Sequence, residues 1–87
     1  MNICELLKRE LEGKEITDSS LYRIKLRKKS QDKGKYIIFE YSEIHNSILP
    51  RGYNKKRNVT LEGKLAALGL EELLAEDWEL FDEKAYR

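Results

Sequence analysis

The chain has 87 residues, of which 40% are hydrophobic and 38% charged, and its formal net charge is +1. This composition excludes a disordered chain, and no run of apolar residues approaches the length of a membrane span. The length suits a single domain, 1–87, whose small core leaves little surplus stability, so association into a homo-oligomer is one expectation.

Charge is unevenly distributed along the chain. Segment 23–57 holds eleven Lys and Arg against three acidic residues, a balance of +8, whereas segments 1–22 and 58–87 have balances of −2 and −5. A basic middle between acidic, leucine-rich ends predicts a folded surface with separate positive and negative regions. Such a surface favours the binding of charged partners.

The compartment is predicted from the N-terminus and the cysteine content. Residues 1–5 have neither the basic residues nor the apolar run of a signal peptide. The single cysteine, Cys4, cannot form an internal disulfide and is expected to be a small buried residue of a helix. Both observations predict a cytoplasmic protein.

The first element is predicted to be an amphipathic helix. Four apolar residues recur at helical spacing, namely Ile3, Leu6, Leu7 and Leu11. Gly13 follows, and glycine tolerates the left-handed conformation with which helices often end. The apolar side of this helix is expected to pack in the core, and the alternative is a groove for a partner.

A β-hairpin is predicted over residues 21–41. In its first strand, 21–27, three apolar residues alternate with three basic ones, which is the period of a strand. The second strand, 35–41, is apolar on both sides, which is typical of a central strand. Residues 30–34 between them are of the kinds that form turns.

The segments after the hairpin carry weaker signals. A short helical turn is predicted after Ser42, with Pro50 ending it. Residues 55–57 are predicted to be an exposed basic loop or edge strand. Thr60 is predicted to cap a helix over residues 61–68.

The C-terminal part allows two interpretations. Residues 70–75 have helical spacing, and Trp78–Phe81 either continue the helix or form a short closing strand. Trp78 is expected in the core, because a small domain needs its largest side chain inside, and the alternative is a partner anchor. Together the elements predict an α+β fold, in which an antiparallel sheet of two to four strands, with the hairpin at its centre, is packed by N-terminal and C-terminal helices.

Motifs for catalysis or metal binding are not found in the sequence. His45 is the only histidine, and no second histidine or cysteine lies near it to build a metal site or a catalytic pair. The glycines lack the spacing of a phosphate-binding loop. The chain is therefore expected to be non-enzymatic, without a metal or cofactor, and to carry His45 in a loop.

Basic side chains with nearby tyrosines are the first candidate site. The predicted contacts to a ligand or partner are Arg23, Lys25, Arg27, Lys55, Lys56 and Arg57. Cations interleaved with aromatic rings can follow a phosphate backbone and stack bases. The same residues could instead recognise an acidic ligand or protein, or form an ordinary solvated strand face.

The acidic end is the second candidate site. Its predicted partner contacts are Glu76, Asp77, Glu79 and Asp82. Carboxylates spaced along a small protein can imitate phosphates and occupy a nucleic-acid channel on a partner. The simpler interpretation is a solvated helix face.

The run from Leu70 to Leu80, which contains Ala-Glu-Asp-Trp-Glu, resembles the ending of a group of small phage proteins. The anti-Thoeris sponge family, which sequesters a nucleotide-derived immune signal, belongs to that group. Glu12-Gly-Lys14 after a helix is also similar to it, and size, acidity and layout resemble, more weakly, small phage anti-CRISPR proteins. The anti-Thoeris sponge family has an arginine and a tryptophan where this chain has Thr17-Asp-Ser-Ser-Leu21, so no ligand-binding residue is transferred. The resemblance implies a strand at 78–81 and interference with host defence.

These observations favour a non-enzymatic phage or mobile-element protein in the cytoplasm of a bacterial host. It would be a counter-defence inhibitor that binds a host defence protein or its anionic ligand. One alternative is a nucleic-acid-binding accessory or regulatory protein that uses the basic hairpin 21–41. Another is a structural phage component that self-associates, and no membrane partner is expected.

Overall fold

One antiparallel sheet and three short helices make up the described part of the chain. The structure, a computed structural model, describes residues 1–56 and 59–82. The elements in chain order are α1 (Ile3–Glu10), α2 (Asp18–Tyr22), β1 (Lys25–Lys28), β2 (Lys35–Ser42), β3 (Ser47–Lys56), β4 (Val59–Leu65), α3 (Leu70–Leu74) and β5 (Trp78–Leu80). The strand order is β4-β3-β2-β1-β5. The predicted α+β fold is confirmed, with β1–β4 as the expected small sheet and the three-residue β5 added at its edge.

Helix α1 begins with a capping box. The Asn2 side chain accepts the backbone N–H of Glu5 at 2.9 Å, and the Glu5 carboxylate accepts the backbone N–H of Asn2 at 3.3 Å. After the helix, Gly13 has a φ of +72°, the left-handed conformation predicted there. Cys4 lies on this helix but is exposed, contrary to expectation. The side of the helix that faces the core carries Ile3 and Leu6, and Cys4 lies off that side.

The expected strand over residues 21–27 is wrong in its first half. Helix α2 forms instead, and its N-cap Thr17 accepts a backbone N–H three residues later at 3.3 Å. Strand β1 starts only at Lys25, so Arg23 lies at the end of a helix and not on the strand. A local hydrogen-bonded cap outweighs a period-two pattern that extends over so few residues.

The hairpin itself is confirmed from Lys25 onward. Strand β2 pairs with β1 on one side and along its whole length with β3 on the other, from Lys35–Asn54 to Ser42–Ser47. It is therefore the central strand, as its apolar character on both sides predicts.

Strand β3 replaces the helical turn that was expected to end at Pro50. Strands β2 and β3 are joined by a turn over 43–46, in which Asn46 has a φ of +49° and His45 is exposed. The Pro50 carbonyl accepts the N–H of Ala66 at 2.9 Å. The proline nitrogen, which carries no hydrogen, points to the same side of β3 as this carbonyl, at the place where pairing with β4 ends. A proline is therefore tolerated inside this strand.

The predicted helix over residues 61–68, capped by Thr60, is also wrong. Its first part is β4, which pairs with β3. Pairing with a long neighbouring strand satisfies the backbone groups on one side of β4 and overrides a helical stripe of only three leucines. The helix over 70–75 is confirmed as α3, and Trp78–Leu80 is the closing strand, paired with β1.

The core lies between the helices and one face of the sheet. Leu26 is fully buried and Trp78 is 3% exposed, and both pack against residues of α1 and α2. The Trp78 indole donates a hydrogen bond to the Glu72 carbonyl at 2.8 Å. The predicted core role of Trp78 is therefore confirmed. Each helix of residues 1–56 and 59–82 falls short of the length and apolarity that a membrane span requires.

Candidate functional site

The sheet has a second face, which is turned away from the helices. Along β2, Ile37 and Phe39 pack in the core with the helices, whereas Tyr36 and Ile38 belong to a separate cluster with Phe81. The two sets alternate because side chains of a strand point to opposite faces with a period of two. We call the face that carries Tyr36 and Ile38 the outer face.

A row of aromatic rings forms the floor of the outer face. The ring of Tyr36 stacks on Phe81 and on Tyr53, with centroid distances of 4.3 and 5.5 Å. The Lys25 ammonium lies 5.7 Å from the Tyr36 ring centroid, within the range of a cation–π interaction. Tyr36 is 4% and Phe81 8% exposed. These two rings therefore organise the face but are not open to bases from solution.

Four cationic side chains of β1 and β3 lie on the outer face. Ile38 pairs with Lys25 on β1 and with Arg51 on β3, and residues opposite each other in an antiparallel pair share a face. By alternation along their strands, Arg27 and Lys55 share it too. The structure therefore brings together three predicted contacts, Lys25, Arg27 and Lys55, and adds Arg51.

Arg51 was missed because β3 was not recognised as a strand. Arg51, Tyr53 and Lys55 recur with the period-two spacing of a strand. Pro50 precedes Arg51, and Gly52 lies between Arg51 and Tyr53. Proline and glycine are typical of a turn, so they hide the strand pattern. The alternation itself was the available signal.

Two acidic side chains, one of β2 and one of β5, also lie on the outer face and reduce its charge. Glu79 of β5 stands opposite Arg27 and forms an ion pair with it, and Glu40 accepts a hydrogen bond from the Tyr53 hydroxyl. The expected separation of positive and negative regions is wrong here, because β5 places the acidic end beside the basic strand. Among the described side chains of β1, β2, β3 and β5, the four cations and two carboxylates that we place on this face sum to +2.

Asp77 also faces the basic hairpin. Its carbonyl accepts the N–H of Lys29 at 2.9 Å, in the turn between β1 and β2. Partial desolvation raises the pKa of the Asp77 carboxyl, but hydrogen bonds with Ser30 and the charge of Lys28 outweigh that effect. The pKa of Asp77 therefore lies below its ordinary value, and this predicted partner contact stabilises the fold.

The remaining predicted contacts lie apart from the outer face or outside the description. Arg23 lines a small cavity of about 120 Å³ beside α2. Glu76 and Asp82 are exposed on either side of β5. Lys56 is the last residue of β3, and Arg57 lies outside the described residues. The outer face is thus the largest group of predicted contacts that the fold assembles.

Comparison with known proteins adds no family to this description. No protein-family model, curated protein or solved structure matches the chain. The likeness of residues 70–80 to small phage proteins stays a prediction, and the function is best argued from the geometry of the outer face.

Among the described residues, no group of three His, Cys, Asp or Glu side chains is placed to hold a metal ion. The outer face presents ammonium and guanidinium groups, which are hydrogen-bond donors suited to carboxylates and phosphates. The chemistry that this arrangement supports is the binding of an anion.

Proposed function

We propose that this protein acts by binding and that its outer face recognises an acidic partner, either a protein surface or an anionic ligand. The observation that carries the proposal is the placement of Lys25, Arg51 and Lys55 on one sheet face around the buried ring of Tyr36. Cations on a paired strand have little backbone freedom to lose when a partner binds, which favours affinity.

Arg27 has a supporting part in this proposal. Its side chain is only 16% exposed, and its guanidinium pairs with Glu79 and donates to the Gln31 carbonyl at 3.3 Å. Lys25, Arg51 and Lys55 also interact within the protein. A partner carboxylate would therefore exchange with internal interactions, and we expect moderate affinity with a clear dependence on salt.

The resemblance of residues 70–80 to small phage proteins suggests the biological setting. In that setting the acidic partner would be a host defence protein or its anionic ligand, and the chain would act as a counter-defence inhibitor. Affinity capture from bacterial host lysate, followed by mass spectrometry of proteins and small molecules, tests this part. Recovery of neither kind of partner would contradict it.

The alternative is binding of a nucleic acid through the hairpin 21–41. The burial of Tyr36 and Phe81 argues against base stacking on these rings, and Tyr53 is partly buried against Tyr36, so phosphate contacts would predominate. We therefore favour an acidic protein or ligand over a nucleic acid.

Charge reversal separates the outer face from the rest of the surface. The test variant is Arg51→Glu with Lys55→Glu, and the control is Lys29→Glu with Lys33→Glu, whose exposed lysines lie in the hairpin turn. Both double variants change the net charge equally. Fluorescence anisotropy with labelled polyglutamate should show at least about tenfold weaker binding for the test variant and less than about twofold for the control.

Three results would contradict the proposal. Wild-type protein that does not bind polyglutamate would contradict it directly, and equal losses in the two variants would assign the attraction to overall charge. Tighter binding of oligothymidylate, weakening steeply with salt, would favour the nucleic-acid alternative. Circular dichroism of each variant confirms that the comparison is made between folded proteins.

A further inference from the structure

An apolar groove lies on the helix side of the sheet, opposite the outer face. Its volume is about 580 Å³, and its apolar walls include Leu11, Ile16, Phe39 and Ile48. Ile16 is 68% exposed and Ile48 38% exposed, so these apolar groups face solvent. A continuous apolar groove of this kind is typical of an interaction site.

The charged residues at this groove have one sign. Among the described residues that line it, Lys8 and Lys14 are the charged ones. Both are exposed, one on α1 and one in the loop that follows it. The groove therefore suits a partner with an apolar surface and carboxylates beside it.

Helix α3 presents a surface with the opposite properties. Leu70 and Leu74 are 75% and 69% exposed, and they are four residues apart, so they lie side by side on the helix. The exposed carboxylates of Glu71 and Glu76 are close to them in sequence. Leu73 packs on the core instead and anchors the helix to its own chain.

We propose that the groove binds α3 of a second copy of this chain, with Leu70 and Leu74 in the groove and Glu71 and Glu76 near Lys8 and Lys14. Burial of the two leucines and pairing of opposite charges would both favour this contact. No residue of α3 lines the groove of its own chain in the described structure. Helix-in-groove contacts use apolar anchors at this spacing.

Each copy offers one groove and one helix. Two copies related by a twofold axis would exchange both contacts and form a closed dimer. Because the contact is small, we expect weak association that depends on concentration. This surface is distinct from the outer face, so either proposal can fail without the other.

Sedimentation equilibrium from about 1 µM to about 1 mM tests the inference. Wild-type mass should rise from one chain towards two across this range. Leu74→Lys and Ile16→Lys should each weaken association at least about tenfold, because each replaces an apolar contact with an ammonium group that must lose its water in an apolar groove. Ile44→Lys is the matched control, because Ile44 is 93% exposed in the turn between β2 and β3, and it should change nothing.

An equimolar mixture of Leu74→Lys and Ile16→Lys supplies the sharper test. Leu74→Lys keeps an intact groove, and Ile16→Lys keeps an intact α3. A mixed dimer should therefore form one of its two helix–groove contacts without a substitution, and the mixture should associate more tightly than either variant alone. Exchange of charge by Lys8→Glu with Glu71→Lys should retain association, whereas Lys8→Glu alone should weaken it.

Three results would overturn the inference. These are a wild-type chain that stays monomeric over the whole range, association that survives both lysine variants, and a mixture that regains nothing. The first result, together with binding of an anionic amphiphile such as dodecanoate, seen as chemical-shift changes at Phe39 and Ile48, would assign the groove to a small ligand instead.

Discussion

Arg27 in β1 and Glu79 in β5 face each other across adjacent strands and form an ion pair, although they are 52 residues apart in sequence. The Arg27 side chain is 16% exposed and that of Glu79 is 38% exposed. This pair connects the most basic segment of the chain to its acidic end. It is the clearest reason why the two signs do not form separate regions.

A double-mutant cycle should detect this pair. We expect Arg27→Ala to lower the free energy of unfolding by about 1–2 kcal/mol, and the coupling to Glu79→Ala to be about 1 kcal/mol, because the pair is partly buried. The control cycle uses Asp32 and Lys35. The Asp32 Oδ2 and Lys35 Nζ atoms are 3.9 Å apart, and the side chains are 84% and 54% exposed, respectively. Its coupling should be below about 0.5 kcal/mol in urea unfolding. Equal couplings would contradict this prediction.

Trp78 should stabilise the fold through its hydrogen bond as well as its size. Trp78→Phe keeps an aromatic ring but leaves the Glu72 carbonyl without the indole donor, so we expect a loss of about 1–3 kcal/mol. Urea unfolding followed by circular dichroism measures it. The exposed ring of Tyr22 provides a control, and Tyr22→Phe should change stability by less than about 0.5 kcal/mol. An equally small effect of Trp78→Phe would show that the hydrogen bond is unimportant.

Asp77 should make stability depend on pH in the acid range. Its pKa in the folded state lies below the ordinary value of 3.8, so its carboxylate stabilises the fold above that pH. The contribution is lost as the pH falls through the folded-state pKa. Asp77→Asn should therefore lower the midpoint of thermal unfolding at neutral pH. The difference in this midpoint between variant and wild type should become smaller below pH 3.8. Ser30→Ala, which removes a hydrogen-bond partner, should act in the same direction, and a pH-independent difference would refute the assignment.

Gly13 should be required for its backbone conformation and not for its small size. Its φ is +72°, and a Cβ at this position would have no heavy atom within 4 Å. We therefore expect Gly13→Ala to cost about 1 kcal/mol, the strain of a left-handed alanine. Gly13→Asn should cost less, because asparagine tolerates this conformation. The two variants can be ranked by thermal unfolding, and an alanine variant as stable as wild type would contradict the interpretation.

Local signals in the sequence predicted the elements that depend on near neighbours. The leucine spacing before Gly13 predicted α1, and the alternation and turn residues predicted the hairpin of β1 and β2. The missed elements were those whose state depends on distant partners. Strand β4 has a helical stripe but forms a strand because β3 lies beside it, and Pro50 is accepted in β3 because its nitrogen faces the end of that pairing.

The candidate site divides in the same way. The sequence predicted that Lys25, Arg27 and Lys55 would be exposed to a partner together, and the register of β1, β2 and β3 does place them on one face. It did not predict Arg51, because a proline and a glycine hid the alternation. Arg23 was misplaced because Thr17 starts a helix just before it.

By itself the sequence determined an α+β protein with a first helix that ends before Gly13 and a central hairpin, because both follow from spacing within a short segment. It also predicted a buried tryptophan, from the size of that side chain in a small domain. Only the tertiary structure decided that β5 lies against β1, that Glu79 pairs with Arg27, and that the helices cover one face of the sheet alone. Period-two alternation sorts side chains into two faces, but it does not specify which strand lies alongside. That choice depends on burial and pairing summed over the whole chain.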